Sequence, residues 1–247
     1  MKFIHPEIFK DLAGISSLFT LANRGVEESG KGLDLGLNTS VSQEVLHTNI
    51  DRVSKHSGIE LTNIALARQI HGAHVQLITE AGIYADTDGF ITATPNVPLA
   101  IQVADCAAVL VADPFHRIIG AFHAGWRGAV AGVVPKGIQK MIRNGAKSEN
   151  MFVYVSACIS FESFEVGHEV AKQFPDQFCD YKTYNKPHVD LKEFIRNQIK
   201  QSNIPDSQIQ ISNDCTVRNT QFYSYRRERE TAGRMLAILM LNKIPDT

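Results

Sequence analysis

Hydrophobic residues along this chain occur in short runs that predict β-strands. Between positions 63 and 123 the runs NIALARQ, HVQLITE, DGFITAT, PLAIQVA, AAVLVAD and RIIGAFH follow one another. They are apolar or β-branched and are separated by Gly, Pro or Asp, which is typical of strands joined by turns. Later in the chain, MFVYVSA and QIQIS predict two more strands, while GRMLAILML fits either a strand or a helix.

Helical spacing of apolar residues is confined to a few segments between these strands. Ser42 can cap a helix that runs to about Ser57 and is ended by Gly58. The other predicted helices cover 130–144, 166–173 and 191–202. Groups of consecutive strands with helices at intervals predict a mixed-sheet α+β or α/β fold rather than a regular alternation of strand and helix. No linker-like composition divides the sequence, so we expect one domain over residues 1–247.

One long stretch between the predicted elements lacks a periodic apolar pattern. It runs from Arg24 to Asn38, contains several glycines and is predicted to be a long loop. Long loops in compact domains are often functional, so we expect this segment to contribute to a site.

The composition is that of an ordinary soluble globular protein, with 44% hydrophobic and 21% charged residues. A formal net charge of -1 gives no basis for nucleic acid or an anionic membrane as the main partner. No run approaches the length of a membrane span, and the N-terminal residues lack the apolar run of a signal peptide. The four cysteines are scattered without a CxxC pair, which favours reduced thiols in a cytoplasmic protein over a disulfide framework.

Three segments share a design in which an apolar run ends at a side chain that can bind a metal. They are RQIHGAHV (68–75), VADCAAVLVAD (103–113) and FHAGWRG (122–128). Strand ends that lie side by side in a sheet could bring His71, Cys106 and His123 into one pocket. Two imidazoles and one thiolate suit zinc, and three protein ligands leave a fourth position for water or substrate, as in catalytic zinc sites.

Each of these residues also has an ordinary structural interpretation. A lone histidine beside glycine is commonly a hydrogen-bonded turn residue, and a lone cysteine is commonly a small buried hydrophobe. His74 competes with His71 as a ligand; we favour His71 because a strand that starts near Ala73 would place His74 away from the loop. No local spacing such as HExxH supports the set, so spacing alone leaves the alternatives open.

Several long motifs resemble one known family. RQIHGAHV, DTDGFITATPNVPLAIQVADC, FHAGWRG, FEVG, VDL and FYSYRRERETAGR together are similar to the YfiH family over about residues 33–239. Members of this family are described as multicopper polyphenol oxidases or laccases, and as purine nucleoside phosphorylases with adenosine deaminase activity. The sequence departs from the family in SACIS (156–160), where relatives tend to carry a Gly-Pro pair before the cysteine.

This resemblance implies both a fold and a metal site. The expected fold is a layered α/β/β/α sandwich with mixed sheets, similar to the YfiH-like cysteine hydrolase fold. The expected ligands are His71, Cys106 and His123, each of which is the residue type that the family carries. The expected cofactor is zinc, with copper binding in vitro because copper generally outcompetes zinc at a given nitrogen and sulfur site.

The family's activities make different demands on the sequence. A laccase holds four coppers, mostly through imidazoles from His-x-His pairs, whereas this chain has nine histidines and no His-x-His. Phosphorolysis needs cationic groups for phosphate, for which Arg68, Arg127 and Arg226 are candidates because a guanidinium matches two phosphate oxygens. Deamination of adenosine needs an acid or base beside zinc-activated water, for which Asp105 and Glu165 are candidates.

We therefore expect a zinc-dependent purine nucleoside phosphorylase that acts on inosine, adenosine or S-methyl-5′-thioadenosine with phosphate and also deaminates adenosine. The main alternative is a Cys–His amidohydrolase in which Cys106 is the nucleophile, His123 the base and His71 a third member. Copper-dependent polyphenol oxidation and a zinc-stabilised binding module are further alternatives. The oligomeric state is left open.

Overall fold

A computed structural model of the chain describes residues 1–25 and 32–243. Its strands are β1 (Phe3–Ile4), β2 (Ile15–Thr20), β3 (Ala65–Ala67), β4 (Val75–Leu77), β5 (Gly82–Tyr84), β6 (Gly89–Thr92), β7 (Leu99–Val103), β8 (Ala107–Asp113), β9 (Ile118–Ala124), β10 (Phe152–Val155), β11 (Cys179–Asp180), β12 (His188–Val189), β13 (Ile209–Ile211) and β14 (Met235–Leu241). Its α-helices are α1 (Gln43–Ser57), α2 (Trp126–Val130), α3 (Val133–Arg143), α4 (His168–Ala171), α5 (Leu191–Lys200) and α6 (Tyr225–Glu228).

Most strands belong to two six-stranded mixed sheets. Sheet A has the order β1-β2-β14-β7-β3-β5, and sheet B has the order β13-β10-β8-β9-β6-β4. In sheet A, β3 runs parallel to β5 and β7, and in sheet B the outer pairs β10–β13 and β4–β6 are parallel. The long β8–β9 hairpin at the centre of sheet B is antiparallel. The predicted mixed-sheet class is therefore confirmed.

The sheets stack face to face with helices on both outer sides. Apolar residues of α1 pack with the outer face of sheet A, and those of α3 and α5 pack with the outer face of sheet B. Another cluster of buried apolar residues fills the space between the inner faces of the two sheets. This arrangement gives four layers in the order α/β/β/α, as the family resemblance implied.

Strand β8 shows why these strands appear as continuous apolar runs rather than as alternating ones. Val109 and Val111 point to the helices over sheet B, whereas Leu110 and Ala112 point to sheet A. Because successive side chains in a strand alternate between its faces, a strand that is covered on both sides must be apolar at every position. The same alternation directs His123 of β9 into the space between the sheets, on the face of Ile119 and Ala121.

Some predicted elements differ from the observed ones. The helix expected over 130–144 is the shorter α3, because Gly132 adopts a left-handed conformation (φ 79°) and separates α3 from α2. GRMLAILML forms β14, a strand of sheet A buried on both faces, and the helix expected over 166–173 is the shorter α4. Of the loop predicted over 24–38, residues 26–31 lie outside the described residues.

Two further expectations are that the chain lacks a membrane span and that it forms one domain. No helix in the described part of the structure is long and apolar enough to cross a membrane. The expectation of one domain over 1–247 stays a prediction.

Candidate metal centre

His71, Cys106 and His123 meet at one end of the space between the two sheets. Each offers a ligand atom, and these atoms all lie within 4.8 Å of one another. The imidazole rings of His71 and His123 are 4.8 Å apart between centroids. The chain thus brings together side chains separated by up to 52 positions, and it does so at the ends of three predicted apolar runs.

The topology explains why these three side chains converge. Cys106 immediately precedes β8, and His123 lies near the end of β9, opposite Ala108 in the antiparallel hairpin. His71 lies in the connection from β3 of sheet A to β4 of sheet B. Its backbone is left-handed (φ 61°), which is uncommon for a residue with a side chain and is more frequent for histidine than for most residues.

The buried carboxylate of Asp88 holds two of the three side chains in place. It accepts a hydrogen bond from Nδ1 of His123 (2.8 Å) and from the backbone N–H groups of His71 (2.9 Å) and Gly72 (2.7 Å). Its own carbonyl oxygen accepts from the backbone N–H of His123 (2.7 Å). With Nδ1 of His123 occupied in this way, Nε2 is left to serve as a ligand, as is usual for metal-binding histidines.

The glycines around His123 allow the close packing of the cluster. A Cβ atom on Gly125 would lie 2.7 Å from the sulfur of Cys106 and 3.3 Å from Cδ2 of His71. A Cβ atom on Gly128 would lie 2.7 Å from the carbonyl oxygen of Gly72. The HAGWRG segment therefore carries glycine at these two positions because side chains there would push the ligand-bearing segments apart.

The charged forms of Cys106 and His123 stabilise each other. Burial opposes ionisation of the Cys106 thiol, but the neighbouring imidazoles of His123 and His71 outweigh it and lower the pKa of Cys106. Burial also disfavours the charged His123 ring, but Cys106 and Asp88 outweigh it and raise the pKa of His123. A thiolate is thus favoured at Cys106, which is the form of cysteine that binds metals and that acts as a nucleophile.

The donor set fits a zinc ion. It consists of two imidazoles and one thiolate, the second ring nitrogen of His123 has a carboxylate partner, and Gly125 leaves room beside the sulfur. All three residues also line one cavity, so a cation that they hold would keep a position open toward that cavity. His74, the alternative ligand, instead donates from Nδ1 to the carbonyl oxygen of Asp86 (2.9 Å).

The cavity beside the centre has a volume of about 560 Å³, which is in the usual range for small-molecule sites. Both sheets and the segment 225–234 contribute to it. Its lining residues are Asn38, Ala67, Gln69, His71, Gln102, Val103, Ala104, Asp105, Cys106, His123, Trp126, Ile159, Phe164, Leu191, Tyr225, Arg226, Glu230 and Arg234.

The three arginines expected at the site differ in position. Arg226 lines the cavity, where its guanidinium makes two 2.9 Å hydrogen bonds to the carbonyl oxygen of Glu165. Arg127 is exposed, stacks its guanidinium over the ring of Trp126 (4.3 Å) and does not line the cavity. Arg68 is also exposed and does not line the cavity. Its guanidinium donates to the side chain of Asn38 (3.4 Å), which is a lining residue.

The two candidate carboxylates are already engaged in hydrogen bonds. Asp105 is buried, and its oxygens accept from Oγ1 of Thr216 (2.6 Å) and from the backbone N–H of Arg226 (2.6 Å). Glu165 directs its half-exposed carboxylate to Lys186 (2.9 Å) and does not line the cavity. The hydrogen bond from Lys186 is the main cause that lowers the pKa of Glu165.

Several residues at the site were not found from the sequence. Asp88 was not among the sequence-based candidates, because an aspartate before glycine, as in DTDG, is typical of an ordinary turn. Tyr225, Glu230 and Arg234 belong to the long family motif FYSYRRERETAGR, which was the available signal for them. The hydroxyl of Tyr225 donates to Glu230 (2.6 Å), so these two form a polar pair on the cavity wall.

Asp88→Asn is expected to weaken zinc binding by about 10- to 100-fold, because it removes the anionic partner of His123 and disturbs the turn at His71. Competition with a chromophoric chelator measures this affinity. Asp86→Asn, at an exposed residue of the connection between β5 and β6 that also carries Asp88, is the matched control and should leave the affinity unchanged. Equal zinc affinities for a folded Asp88→Asn protein and the wild type would contradict the role given to Asp88.

Comparison with known proteins identifies relatives of this chain. Residues 16–242 match the family described as multi-copper polyphenol oxidoreductase laccase. A purine nucleoside phosphorylase from Deinococcus radiodurans is 34% identical over 196 residues, which are 78% of this chain and 76% of that protein.

Two solved structures are similar over nearly the whole chain. YlmD from Geobacillus stearothermophilus is 26% identical with a TM-score of 0.86, over 94% of this chain and 93% of its own. The YfiH protein of Bacillus licheniformis is 25% identical with a TM-score of 0.89, over 97% of this chain and 96% of its own. The chain therefore belongs to the YfiH family, whose members are described as multi-copper polyphenol oxidoreductase laccases.

Proposed function

We propose that this protein is a cytoplasmic, zinc-dependent purine nucleoside phosphorylase that transfers the sugar of inosine, adenosine or S-methyl-5′-thioadenosine to phosphate. The observation that carries the proposal is a three-ligand centre that opens onto a cavity containing Arg226. The activity named for the Deinococcus radiodurans relative supports the same reaction class.

Phosphorolysis breaks the bond between C1′ of the sugar and the purine nitrogen, and a phosphate oxygen takes the place of the purine. The electron pair of the broken bond moves onto the purine, and the sugar passes through an oxocarbenium-like state, as in glycoside cleavage. Zinc held by His71, Cys106 and His123 would supply a Lewis acid beside the substrate. The side chains of the cavity must then hold phosphate against C1′ and hold the purine ring.

The cavity offers groups for both tasks. Arg226 is fixed by its backbone N–H to Asp105 and by two guanidinium N–H groups to the carbonyl of Glu165, which leaves three guanidinium N–H groups for an anion. Trp126 and Phe164 provide ring surface on which a purine can stack. Arg68 and Arg127 remain proposed phosphate ligands at the periphery, since both lie beside lining residues.

The other activities of the family have less support in this chain. Deamination needs a carboxylate that is free to move protons, whereas both oxygens of Asp105 accept hydrogen bonds and Glu165 faces Lys186. Multicopper oxidation needs four coppers, whereas the described residues form one three-ligand group and the chain has no His-x-His pair. We therefore restrict the proposal to phosphorolysis.

A thiol amidohydrolase is the second candidate, because the Cys106–His123 pair has the charge pattern of a nucleophile and its base. The neighbouring imidazoles lower the pKa of the thiol against the effect of burial, and the thiolate raises the pKa of His123. One sulfur cannot be a zinc ligand and an attacking nucleophile at the same moment. The state of Cys106 in the purified protein therefore distinguishes the two candidates.

His123→Ala is expected to abolish stoichiometric zinc and purine release together, because it removes one of three ligands. Metal analysis and chromatography of products from inosine, with and without phosphate, measure both. Hypoxanthine and ribose 1-phosphate should form only with phosphate. His74→Ala is the matched control and should retain metal and activity, since His74 bonds to Asp86 instead. A His123→Ala protein that loses zinc and keeps turnover would contradict the proposal.

Arg226→Ala is expected to raise the KM for phosphate by at least about tenfold, which corresponds to the loss of a hydrogen bond to a charged group. Arg68→Ala and Arg127→Ala are compared with it, and their effect should be smaller because neither residue lines the cavity. Initial rates at varied phosphate and fixed inosine give these constants. An unchanged phosphate KM in Arg226→Ala would remove Arg226 from the phosphate site.

Alkylation of Cys106 by iodoacetamide should be slow in the metal-loaded protein and should become fast after chelation, because a bound thiolate is shielded. Mass spectrometry of the peptide containing Cys106 gives the labelling rate. Cys179, which is partly exposed and remote from the metal ligands in sequence, provides the internal reference. Fast labelling that chelation does not change would favour the amidohydrolase.

A further inference from the structure

A second pair of cysteines lies outside the candidate metal centre. Cys158 follows β10 and Cys215 follows β13, and the two residues are partners in an isolated parallel β-bridge beyond the β10–β13 pairing, with one extra residue on the β13 side. Neighbouring strands lie about 4.7–4.9 Å apart, which is within the Cα separation of about 4.4–6.8 Å found in disulfides. Paired residues in register also direct their side chains to the same face of a sheet.

The surroundings of Cys215 favour its thiolate. Its sulfur accepts the backbone N–H of Ser160 (3.4 Å) and lies 3.5 Å from the hydroxyl of Ser163. Burial raises the pKa of this thiol, but hydrogen bonds from Ser160 and Ser163 outweigh it and bring the pKa to about 7. Cys158 is fully buried, and burial raises the pKa of its thiol to about 12. The two sulfurs thus differ in reactivity although they are neighbours.

Cys215 is largely buried, with 8% of its surface exposed, but it lines a cavity that a small polar molecule can enter. It lines a polar cavity of about 630 Å³ together with Ser160, Asp214, Arg218 and Asn219. None of the residues that line this cavity also lines the cavity of the metal centre. An oxidant can therefore meet Cys215 without passing the ligands of the metal centre.

The segments that carry the two cysteines both hold Asp105, the residue that precedes Cys106. The backbone N–H of Ile159 donates to the carbonyl oxygen of Asp105 (2.9 Å), and Oγ1 of Thr216 donates to its carboxylate (2.6 Å). Asp105 has a left-handed backbone (φ 84°), a conformation that surrounding contacts of this kind stabilise. A covalent link between Cys158 and Cys215 would join the two segments that support the metal-binding turn.

We propose that Cys215 and Cys158 form a thiol-oxidation site that reacts with hydrogen peroxide and closes into a disulfide. The Cys215 sulfur attacks one peroxide oxygen and the O–O bond breaks. The second peroxide oxygen departs as water, and Cys215 becomes a sulfenic acid. The Cys158 sulfur then displaces the sulfenic hydroxyl, which departs with the Cys158 proton as a second water. In total, two thiols are oxidised by two electrons and one peroxide is reduced to two waters.

The test is to expose the purified full-length protein to a small excess of hydrogen peroxide, alkylate the remaining thiols and map tryptic peptides by mass spectrometry. The expected product links peptide 148–172 to peptide 201–218, and a dithiol reductant reverses it. The link should be absent in Cys215→Ser and in Cys158→Ala. It should persist in Cys179→Ser, the matched control at a partly exposed cysteine.

Cys158→Ala keeps a small uncharged side chain at the buried position, and a cooperative thermal transition of each variant shows that it is folded. Two results would overturn the proposal in the wild-type protein. One is that Cys215 stays reduced while Cys106 is oxidised. The other is that Cys215 accumulates as sulfinic acid without any link to Cys158. Neither readout depends on catalysis, so the outcome is independent of the phosphorylase test.

Discussion

The hydrogen bond between the Asp88 carboxylate and the His123 ring is the interaction on which the candidate site depends. The same carboxylate binds two backbone N–H groups of the turn that carries His71. A carboxylate buried without such donors would be costly, so the turn, the ring and the carboxylate stabilise one another. Sheet A and sheet B are joined at this point by the β3–β4 connection, which makes the geometry of the centre a property of how the sheets are stacked.

The layered fold supplies the rigidity that such a centre needs. The β8–β9 hairpin is buried on both faces, so Cys106 and His123 sit at the end of a packed element rather than on a free loop. Gly125 and Gly128 then let the neighbouring segments approach to contact distance. Close packing in the core and missing side chains at these two glycines thus act together to bring two nitrogens and one sulfur near a common point.

Those parts of the fold that depend on local patterns could be predicted from the sequence. The apolar runs predicted the strands of the β6–β10 region and pointed to the candidate ligands at their ends, and the family resemblance then singled out His71, Cys106 and His123. The break between α2 and α3 was missed because a glycine inside a periodic apolar segment is tolerated in helices as well.

The parts of the site that depend on where side chains point in the folded chain could not be predicted in this way. Arg127 was chosen because it lies close to His123 in sequence, but it follows Trp126 in a helix and therefore points about 100° away from it. Arg234 and Glu230 reach the cavity from a segment more than 100 positions beyond Cys106. Their approach depends on where β14 enters sheet A, which no local pattern encodes.

The short segment 225–234 supplies four of the side chains that line the cavity wall, whereas the metal ligands come from elsewhere in the chain. A substitution in this segment would therefore reshape the pocket while leaving the three ligand side chains in place. The shape of the pocket and the set of metal ligands are thus controlled by different parts of the chain.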